Sequence, residues 1–443
     1  MKIIKSLYLN NRLFQVIGGL VTLFILSFFY PGLIILPQLL FFLLIICLLA
    51  DGFLLYGSSK SLNGYRFTPE KLSNGDSNEI RVFLENYYSI PIWLKIYEEL
   101  PHQFQIRDQQ MQLSLQAKEK KSITYYLRPV KRGAYAFGAV NVLTSSPLGL
   151  IARRFKFSQD KTVPVYPSYI QMRKYELMAI SNNLTELGIK KIRKIGHNME
   201  FEQIREYVIG DDYRTINWKA TARKGGLMVN NYQDEKSQQV YSLIDKSRTM
   251  QMPFEGMSLL DYAINASLVI SNIAIKKDDK AGLITFQHKI GTLLPASKRS
   301  KQMHLILETL YNQKTAYKEV DYSKLFTLVR RKITQRSLLL LFTNFESLSG
   351  MHRQLPYLKK LSKFHLVVVI FFENTEVKKL IASPAEKIKE VYRKAVAEKL
   401  AYEKSLIAKE LNSHGIHTVL TQPKNLNVDT INKYLELKSR GLI

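Results

Sequence analysis

Three oxygen-bearing side chains stand at alternate positions directly after an apolar run of the sequence. The run covers residues 240–244, and Asp245, Ser247 and Thr249 follow it. Such a run predicts a buried strand, and open α/β sheets bind ligands at the carboxyl ends of their strands. One carboxylate and two hydroxyls are hard oxygen donors, which suit Mg²⁺. The same residues can instead form a turn that caps the next helix, and both interpretations stay open here.

A second concentration of polar residues lies between positions 201 and 223. Its acids and arginines are Glu202, Asp211, Asp212, Arg205, Arg214 and Arg223. Because buried charges need partners, this mixture predicts a partly buried ion-pair network. A catalytic or ligand site built on Asp211 or Asp212 is the alternative. We favour the structural interpretation, because no histidine, cysteine or activated nucleophile accompanies the acids.

Several motifs that identify enzyme classes do not occur in the sequence. There is no G-x-x-x-x-G-K-[ST] phosphate loop, no G-x-S-x-G elbow, no H-E-x-x-H helix and no G-x-G-x-x-G fingerprint. We therefore expect no bound nucleotide and no catalytic residues, and a non-enzymatic protein is the primary hypothesis.

The elements that must position these residues change in type along the chain. In residues 239–443, apolar strand candidates at 240–244, 281–286, 337–342, 365–372 and 416–420 alternate with helical stretches such as 258–277. This alternation predicts an α/β domain with a mostly parallel sheet and helices on both faces. In residues 58–167, short alternating segments separated by turn residues predict a β-sandwich-like domain. Residues 168–238, which hold the polar block, connect the two.

Residues 1–57 contain two long uncharged stretches, 13–30 and 32–50. Each is long enough to cross a bilayer as a helix, and Pro31 and Gly32 supply a turn between them. We therefore predict a transmembrane helical hairpin that contacts the membrane through residues 13–56. A cleaved signal peptide is the alternative, but the second stretch and the missing A-x-A-like boundary argue against it. Asp51 lies near the end of the hairpin and is interpreted as a residue of the membrane boundary.

Positive charge flanks the hairpin and is spread along the rest of the chain. The flanking residues are Lys2, Lys5, Arg12, Lys60 and Arg66. They predict a multi-pass protein of the cytoplasmic (inner) membrane whose soluble body faces the cytoplasm. The formal net charge of +27 favours anionic partners such as lipid headgroups, nucleic acid or an acidic protein surface. Because RGG, zinc-finger and RRM signatures do not occur, no specific nucleic acid is expected.

The polar block resembles the signature of the bacterial "domain of unknown function 58" family. The matching residues are Phe201, Glu202, Arg205, Tyr207, Gly210, Asp211, Asp212, Arg214, Asn217, Trp218, Thr221 and Arg223. Segments 131–138 and 146–150 are also similar to that family, as is the order of membrane helices, β-rich region and α/β domain. The resemblance covers nearly the whole chain.

The resemblance implies that residues 239–443 form a von Willebrand factor A-like domain. In such domains, Asp245, Ser247 and Thr249 match the first element of a metal-ion-dependent adhesion site. After the strand at 337–342 the pattern usually has Thr-Asp or Ser-Asp, whereas this chain has Thr343 and Asn344. The missing carboxylate weakens the electrostatic case for a divalent ion, so Mg²⁺ binding remains an open expectation.

The family is commonly found with MoxR-type AAA+ ATPases. The resemblance therefore implies a role in ATPase-assisted assembly or maturation of other proteins. Our primary hypothesis is a membrane-anchored scaffold that docks a protein partner, such as an ATPase of this class, through the A-like domain. The alternatives are a metal-assisted hydrolase of unknown substrate using Asp211, Asp212 and Asp245, and a binder of anionic lipid or nucleic acid acting through its charge.

Overall fold

The computed structural model describes residues 6–57, 61–107, 109–157, 160–180, 200–233, 237–315, 317–385 and 387–442. Lys2, Lys5 and Lys60, which enter the prediction of membrane orientation, lie outside these ranges. The chain divides into two compact units, Met1–Tyr166 and Pro167–Ile443.

The first unit begins with two apolar helices, α1 (Asn11–Phe29) and α2 (Ile35–Tyr56), joined by a 3₁₀ turn at Pro31–Leu33. Both helices are long and apolar enough to cross a membrane, and most of their side chains are exposed. A soluble core would bury such side chains, so their exposure indicates association with a membrane. The predicted pair of apolar helices is confirmed.

The rest of the first unit is built from short strands. They are β1 (Leu7–Leu9), β2 (Leu62–Phe67), β3 (Leu72–Ser73), β4 (Asn78–Asn86), β5 (Ile92–Glu98), β6 (Gln110–Leu115), β7 (Lys120–Leu127), β8 (Gly133–Phe137), β9 (Val140–Ser145), β10 (Ile151–Phe157) and β11 (Lys161–Tyr166). Two sheets are antiparallel, in the orders β1-β10-β9-β5-β6 and β2-β4-β7. The third has the order β3-β11-β8, with β3 and β11 parallel.

Alternating side chains hold these sheets together. Strand β5 buries Ile92, Leu94 and Ile96 and turns the residues between them outward. These three pack in one apolar core with Ile80 and Val82 of β4, which belongs to a different sheet. The period-2 pattern that predicted strands is therefore the pattern that fills the core. The predicted β-rich region is confirmed.

Asp51, near the end of α2, is fully buried against the β-rich part of the same unit. Its Oδ2 accepts hydrogen bonds from the backbone N–H groups of Leu150 at 2.9 Å and Ile151 at 3.0 Å, and its Oδ1 accepts one from the Ser146 hydroxyl. The sequence interpretation of Asp51 as a residue of the membrane boundary did not anticipate these partners. Segment 146–150, which resembles the family, thus binds the carboxylate of α2.

The second unit contains one large sheet, its helices and two separate two-stranded sheets. Its helices are α3 (Tyr169–Ile180), α4 (Trp218–Lys224), α5 (Leu259–Lys276), α6 (Gln302–Tyr311), α7 (Tyr322–Lys332), α8 (Leu348–Ser362), α9 (Thr375–Ala382), α10 (Ile388–Ser413) and α11 (Leu426–Ser439). Its strands are β12 (Glu200–Glu206), β13 (Met228–Gln233), β14 (Gln239–Asp245), β15 (Pro253–Phe254), β16 (Met257–Ser258), β17 (Lys280–Phe286), β18 (Ile290–Ser297), β19 (Leu338–Phe342), β20 (Leu366–Phe372) and β21 (His417–Thr421).

The large sheet has the strand order β18-β17-β14-β19-β20-β21. All its strands are parallel except β18, which pairs antiparallel with β17 at one edge. Helices α5, α6 and α11 pack in the apolar core on one face, and helices α7, α8 and α10 contribute to the core on the other. The predicted α/β region with helices on both faces is confirmed.

Helix α5 meets the length and composition criteria for a membrane span, but 83% of its apolar window is buried within this unit. It is therefore a core helix. The Ser258 hydroxyl caps it by accepting a hydrogen bond from the backbone N–H of Asp261. Sequence reasoning predicted this helix to within one residue at each end, but it missed β18 and the hairpin of β12 and β13.

Candidate functional site

The structure brings together the three oxygen-bearing residues that follow β14. The strand ends at Asp245, and the backbone N–H of Ser247 donates a 2.8 Å hydrogen bond to Asp245 Oδ1. A short 3₁₀ turn, Arg248–Gln251, then places the hydroxyl oxygens of Ser247 and Thr249 3.0 Å apart. The tight turn after a buried strand is thus what makes the three groups converge at the carboxyl edge of the sheet.

Asp245 is buried and has only uncharged hydrogen-bond partners among the residues that the structure describes. Its Oδ2 accepts a 2.7 Å hydrogen bond from the hydroxyl of Thr343, which directly follows β19. The hydroxyl of Tyr322 donates in turn to Thr343 Oγ1 at 3.0 Å. Burial raises the pKa of the Asp245 carboxyl, because its charged form loses solvation that these neutral donors only partly replace.

Asn344 lies beside this group and is oriented by Lys404 of α10. Lys404 Nζ lies 2.6 Å from Asn344 Oδ1 and 2.5 Å from the backbone oxygen of Phe345. An ammonium group can only donate hydrogen bonds, so the amide oxygen of Asn344 must face it. The amide nitrogen then points to the other side, where it donates a 3.4 Å hydrogen bond to the backbone oxygen of Thr249. Sequence reasoning did not predict this role for Lys404.

The donor set at this edge can be compared with the needs of the predicted Mg²⁺. Asp245, Ser247 and Thr249 offer one carboxylate and two hydroxyls, which are suitable donors. On the opposite side, however, Asn344 presents an amide N–H₂ group, and the ammonium of Lys404 lies behind it. No group of three or more His, Cys, Asp or Glu residues with metal-binding geometry is found within the described parts of the chain. The residues on the Asn344 side do not fit a divalent cation.

Two neighbouring cavities open at this edge of the sheet. The smaller one, of about 160 Å³, is lined by Asp245, Ser247, Thr249 and Thr343. The larger one, of about 520 Å³, lies beside α9 and α10, and its walls are mainly apolar. Asn344 lines both cavities, and Lys404 lines the larger one. The amide of Asn344 therefore lies between the buried carboxylate of Asp245 and the half-buried ammonium of Lys404.

The first half of α10 carries an exposed apolar row that leads to the larger cavity. Its residues are spaced by four, with exposed fractions of 91% for Ile388, 72% for Tyr392, 41% for Val396 and 45% for Leu400. Residues four apart form a continuous ridge on a helix surface, and Lys404 is the next member of this ridge. Leu400 also lines the cavity. The row, defined here as these four residues, thus ends at the half-buried ammonium of Lys404.

The predicted signature block forms the hairpin of β12 and β13 with helix α4 between the strands. Arg205 donates a 2.6 Å hydrogen bond to Asp211, which also accepts from the backbone N–H of Val208. These bonds lower the pKa of the Asp211 carboxyl. Asp212 caps a 3₁₀ turn by accepting from the N–H of Arg214. Each predicted acid at this turn therefore has a structural role.

Other signature residues also support the local fold. Asn217 caps α4 through a 3.0 Å hydrogen bond from the N–H of Ala220, and Thr221 accepts one from the N–H of Met228. Tyr207 pairs through its backbone with Leu227, and Gly210 has a φ of +112°, which favours glycine.

The ion-pair network that the sequence predicts for this block is smaller and more exposed in the structure than expected. Arg205 and Asp211 pair, but Arg214 and Arg223 are exposed and have no carboxylate partner among the described residues. Trp218 is exposed too. The side chains of Phe201 and Glu202 lie outside the described part of the structure. No hydrogen bond between described residues joins the hairpin to the Asp245 group.

Lys404 yields a testable pH dependence. Its burial lowers the pKa of its ammonium to about 8. The unfolded chain, with an ordinary lysine pKa near 10.4, binds more protons between pH 8 and 10, so wild-type stability rises with pH in that window. We expect wild type to gain on the order of 2 kcal/mol relative to Lys404→Met between pH 7.5 and 10. Calorimetry of both full chains checks this, and parallel pH profiles would contradict it.

Comparisons with known proteins identify relatives for part of the chain. The model of the family described as "Protein of unknown function DUF58" matches residues 203–380. The uncharacterized protein YeaD of Bacillus subtilis (strain 168) is 30% identical over 131 residues, which cover 29% of this chain and 32% of YeaD. The chain thus matches about a third of the length of this curated relative.

Solved structures give weaker likenesses. The conserved hypothetical protein BatB from Bacteroides thetaiotaomicron covers 46% of this chain and 100% of its own, with 14% identity and a TM-score of 0.30. The CARDB domain of the PF1109 protein from Pyrococcus furiosus covers 24% and 93%, with 17% identity and a TM-score of 0.18. Scores this low do not define the fold of this chain. The family match and the B. subtilis relative support the resemblance to the DUF58 family that the polar block indicated.

Proposed function

We propose that this chain is a membrane-anchored, non-enzymatic scaffold that docks a protein partner at the carboxyl edge of its α/β sheet. The exposed row on α10, which leads into the larger cavity, carries this proposal. Adjoining exposed apolar side chains cost solvation free energy, and on soluble domains they mark surfaces that a partner covers. A cavity at the end of such a row can receive an anchoring side chain of the partner.

The anchor of this scaffold is the helical hairpin. Its two apolar helices belong to the same compact unit as the β-rich sheets, which supports a multi-pass membrane protein. In the sequence, Lys2 and Lys5 precede the hairpin and Lys60 follows it, so both flanks carry positive charge. This supports placement in the cytoplasmic membrane with the soluble units in the cytoplasm. The net charge of +27 adds attraction to an anionic leaflet.

The sheet edge supports the proposed likeness to von Willebrand factor A domains. A mostly parallel sheet with Asp245, Ser247 and Thr249 at its carboxyl edge is the arrangement that this likeness requires. The family association makes a MoxR-type AAA+ ATPase the first partner to test.

The hydrolase alternative has less support from the site. Asp211 is bonded to Arg205 and Asp212 caps a turn, so neither acid is held ready to activate water. Asp245 accepts hydrogen bonds on both carboxylate oxygens. A general base needs a carboxylate oxygen within reach of the proton that it abstracts. In all three acids these oxygens already accept structural hydrogen bonds.

A docking assay tests the proposal directly. The full chain is placed in nanodiscs, and binding of a purified MoxR-type ATPase is measured by biolayer interferometry. We expect Leu400→Glu to weaken binding at least tenfold, or about 1.4 kcal/mol, because it puts a charge in the apolar contact. Lys399→Gln is the matched control, since it changes the charge equally one residue outside the row.

The outcomes separate specific docking from general attraction. Equal weakening by both variants would assign the binding to charge, and binding that falls steeply with salt in both would favour the anionic-binder alternative. Wild type that binds no ATPase would remove this partner class.

A further inference from the structure

We infer that the site at the carboxyl edge works without a divalent ion: the ammonium of Lys404 supplies the positive charge, and it binds a carboxylate of the docked protein partner directly. The second half of this inference rests on the proposed docking function. The first half concerns the chain alone.

The ammonium of Lys404 is held in place and still has a donor to offer. Its Nζ donates to Asn344 Oδ1 and to the backbone oxygen of Phe345. An ammonium has three N–H donors, and the third has no acceptor among the residues that the structure describes. Because Lys404 lines the larger cavity, that cavity is where an incoming acceptor would reach it. This donor is therefore available to an acceptor that enters the cavity, and hydrogen bonds to a charged donor are among the stronger ones.

Asn344 sets the electrostatics on the side of the buried carboxylate. Lys404 fixes the amide with its oxygen turned away from Thr249 and its N–H₂ group turned toward it. The N–H₂ group is the positive end of the amide dipole. A divalent ion among the oxygens of Asp245 and Thr249 would face this positive end, with a full positive charge behind it. An adhesion-type metal site needs a negative oxygen at this position.

Basic residues beside this site also favour an acidic partner. Arg248, Lys318 and Arg353 line the smaller cavity, are exposed, and pair with no carboxylate within the described ranges. The acids that line the two cavities are Asp245, Glu319, Glu346, Glu373 and Glu376. The last two of these acids already pair with Lys378 and Lys379. Exposed bases next to an apolar contact attract acidic partners and speed their association.

The chemistry of the partner follows from the order of groups along α10. Four apolar side chains at exposed positions are followed by the ammonium of Lys404. The complementary surface is a protein segment with apolar side chains that cover the row, followed by an aspartate or glutamate that enters the larger cavity. Its carboxylate accepts the third N–H of Lys404 in a charge-assisted hydrogen bond.

Metal independence is tested with Mn²⁺, a spectroscopic substitute for Mg²⁺, on the full chain in nanodiscs. Electron paramagnetic resonance measures the bound Mn²⁺ in four proteins. They are wild type, the double variant Asn344→Asp/Lys404→Met, and each of these two proteins with Asp245→Asn added. We expect no Asp245-dependent binding by wild type at millimolar Mn²⁺. The double variant should bind at least tenfold more tightly than wild type and lose this gain with Asp245→Asn.

Two results would overturn metal independence. One is wild-type Mn²⁺ binding that Asp245→Asn abolishes. The other is equal Mn²⁺ binding by wild type and the double variant, since Asn344 and Lys404 would then not be what disfavours the ion. Neither measurement needs a partner, so the metal result stands even if docking fails.

The partner contact is tested in the ATPase docking assay described above. A carbodiimide joins an amine to a carboxylate only where they touch, so mass spectrometry should find Lys404 linked to an Asp or Glu of the ATPase. Lys404→Met should weaken binding at least tenfold, Lys404→Arg should restore much of it, and EDTA should leave wild type unchanged. Docking that EDTA removes, or that Lys404→Met leaves intact, would overturn the inference while the docking function stands. Wild type that binds no ATPase would instead remove the proposed partner.

Discussion

Replacing Asp51 by alanine should destabilise the β-rich unit by about 3–5 kcal/mol. The carboxylate is fully buried and accepts hydrogen bonds from two backbone N–H groups and the Ser146 hydroxyl. The alanine variant leaves both N–H groups of Leu150 and Ile151 buried without an acceptor, and each such group costs about 1–3 kcal/mol. Scanning calorimetry of the full chain in detergent, with limited proteolysis of the β-rich unit, measures the loss.

Two further variants separate this bond network from simple loss of volume. Ser146→Ala removes one donor to Asp51 and the acceptor of the Leu148 and Gly149 N–H groups, but it keeps both backbone contacts of the carboxylate, so it should cost only about 1–2 kcal/mol. Asp51→Asn keeps the size of the side chain and can turn its amide oxygen to the two backbone N–H groups and its N–H₂ group to the Ser146 hydroxyl, so it should cost clearly less than alanine. An Asp51→Ala protein that melts and resists protease like wild type would show that these contacts contribute little.

Arg66→Met should also cost the β-rich unit about 3–5 kcal/mol. Arg66 of β2 and Glu98 of β5 form a 2.9 Å ion pair, with side chains 1% and 0% exposed, so the pair joins two different sheets. The arginine also donates to the backbone oxygen of Gly138 and lies over the ring of Phe137. Removing it leaves an unpaired buried carboxylate, which costs far more than the pair itself gains.

The loss in Arg66→Met should shrink at low pH. Burial raises the pKa of Glu98 even with the arginine present, and without it the pKa rises further. A carboxyl whose folded-state pKa is raised destabilises the fold above that pKa, and protonation relieves the effect as the pH falls. Arg66→Met should therefore regain stability relative to wild type between pH 8 and 5.

An exposed ion pair of the same unit provides the control for this prediction. Arg81 and Glu79 are paired on the surface, so Arg81→Met should leave stability nearly unchanged at all of these pH values. Calorimetry of the three full chains at both ends of the pH range gives the comparison. A loss in Arg66→Met that does not depend on pH would contradict the assigned cause.

The strands of the α/β sheet could be predicted from sequence because they are continuous apolar runs. Leu338–Phe342 is buried along its whole length, and its ends were predicted to within one residue. Strand β18, Ile290–Ser297, was missed because its edge position leaves it only half-buried, so it lacks such a run. The hairpin of β12 and β13 was missed because its charged residues concealed the alternation.

The local part of the candidate site was predictable and the distant part was not. Asp245, Ser247 and Thr249 converge through one turn, so their spacing alone indicates that they meet. Asn344 and Lys404 are 60 positions apart, and Asp51 and Ile151 are 100 positions apart. In a helix rich in lysine and glutamate, the sequence does not distinguish Lys404 from the lysines that face solvent. Its contact with Asn344 becomes visible only in the folded structure, where α10 packs beside the carboxyl edge of the sheet.

The contacts around the end of α2 determine how the β-rich unit moves. Besides the bonds of Asp51, the Arg153 guanidinium donates a 2.6 Å hydrogen bond to the backbone oxygen of Leu55, and the Tyr88 hydroxyl donates one at 2.9 Å to the same atom. Arg153 also lies over the ring of Tyr56. The end of the helix and the sheets are thus rigidly joined. In the proposed membrane setting, the tilt and rotation of the hairpin in the bilayer would determine the orientation of the β-rich unit. A flexible linker would instead let that unit rotate independently of the hairpin.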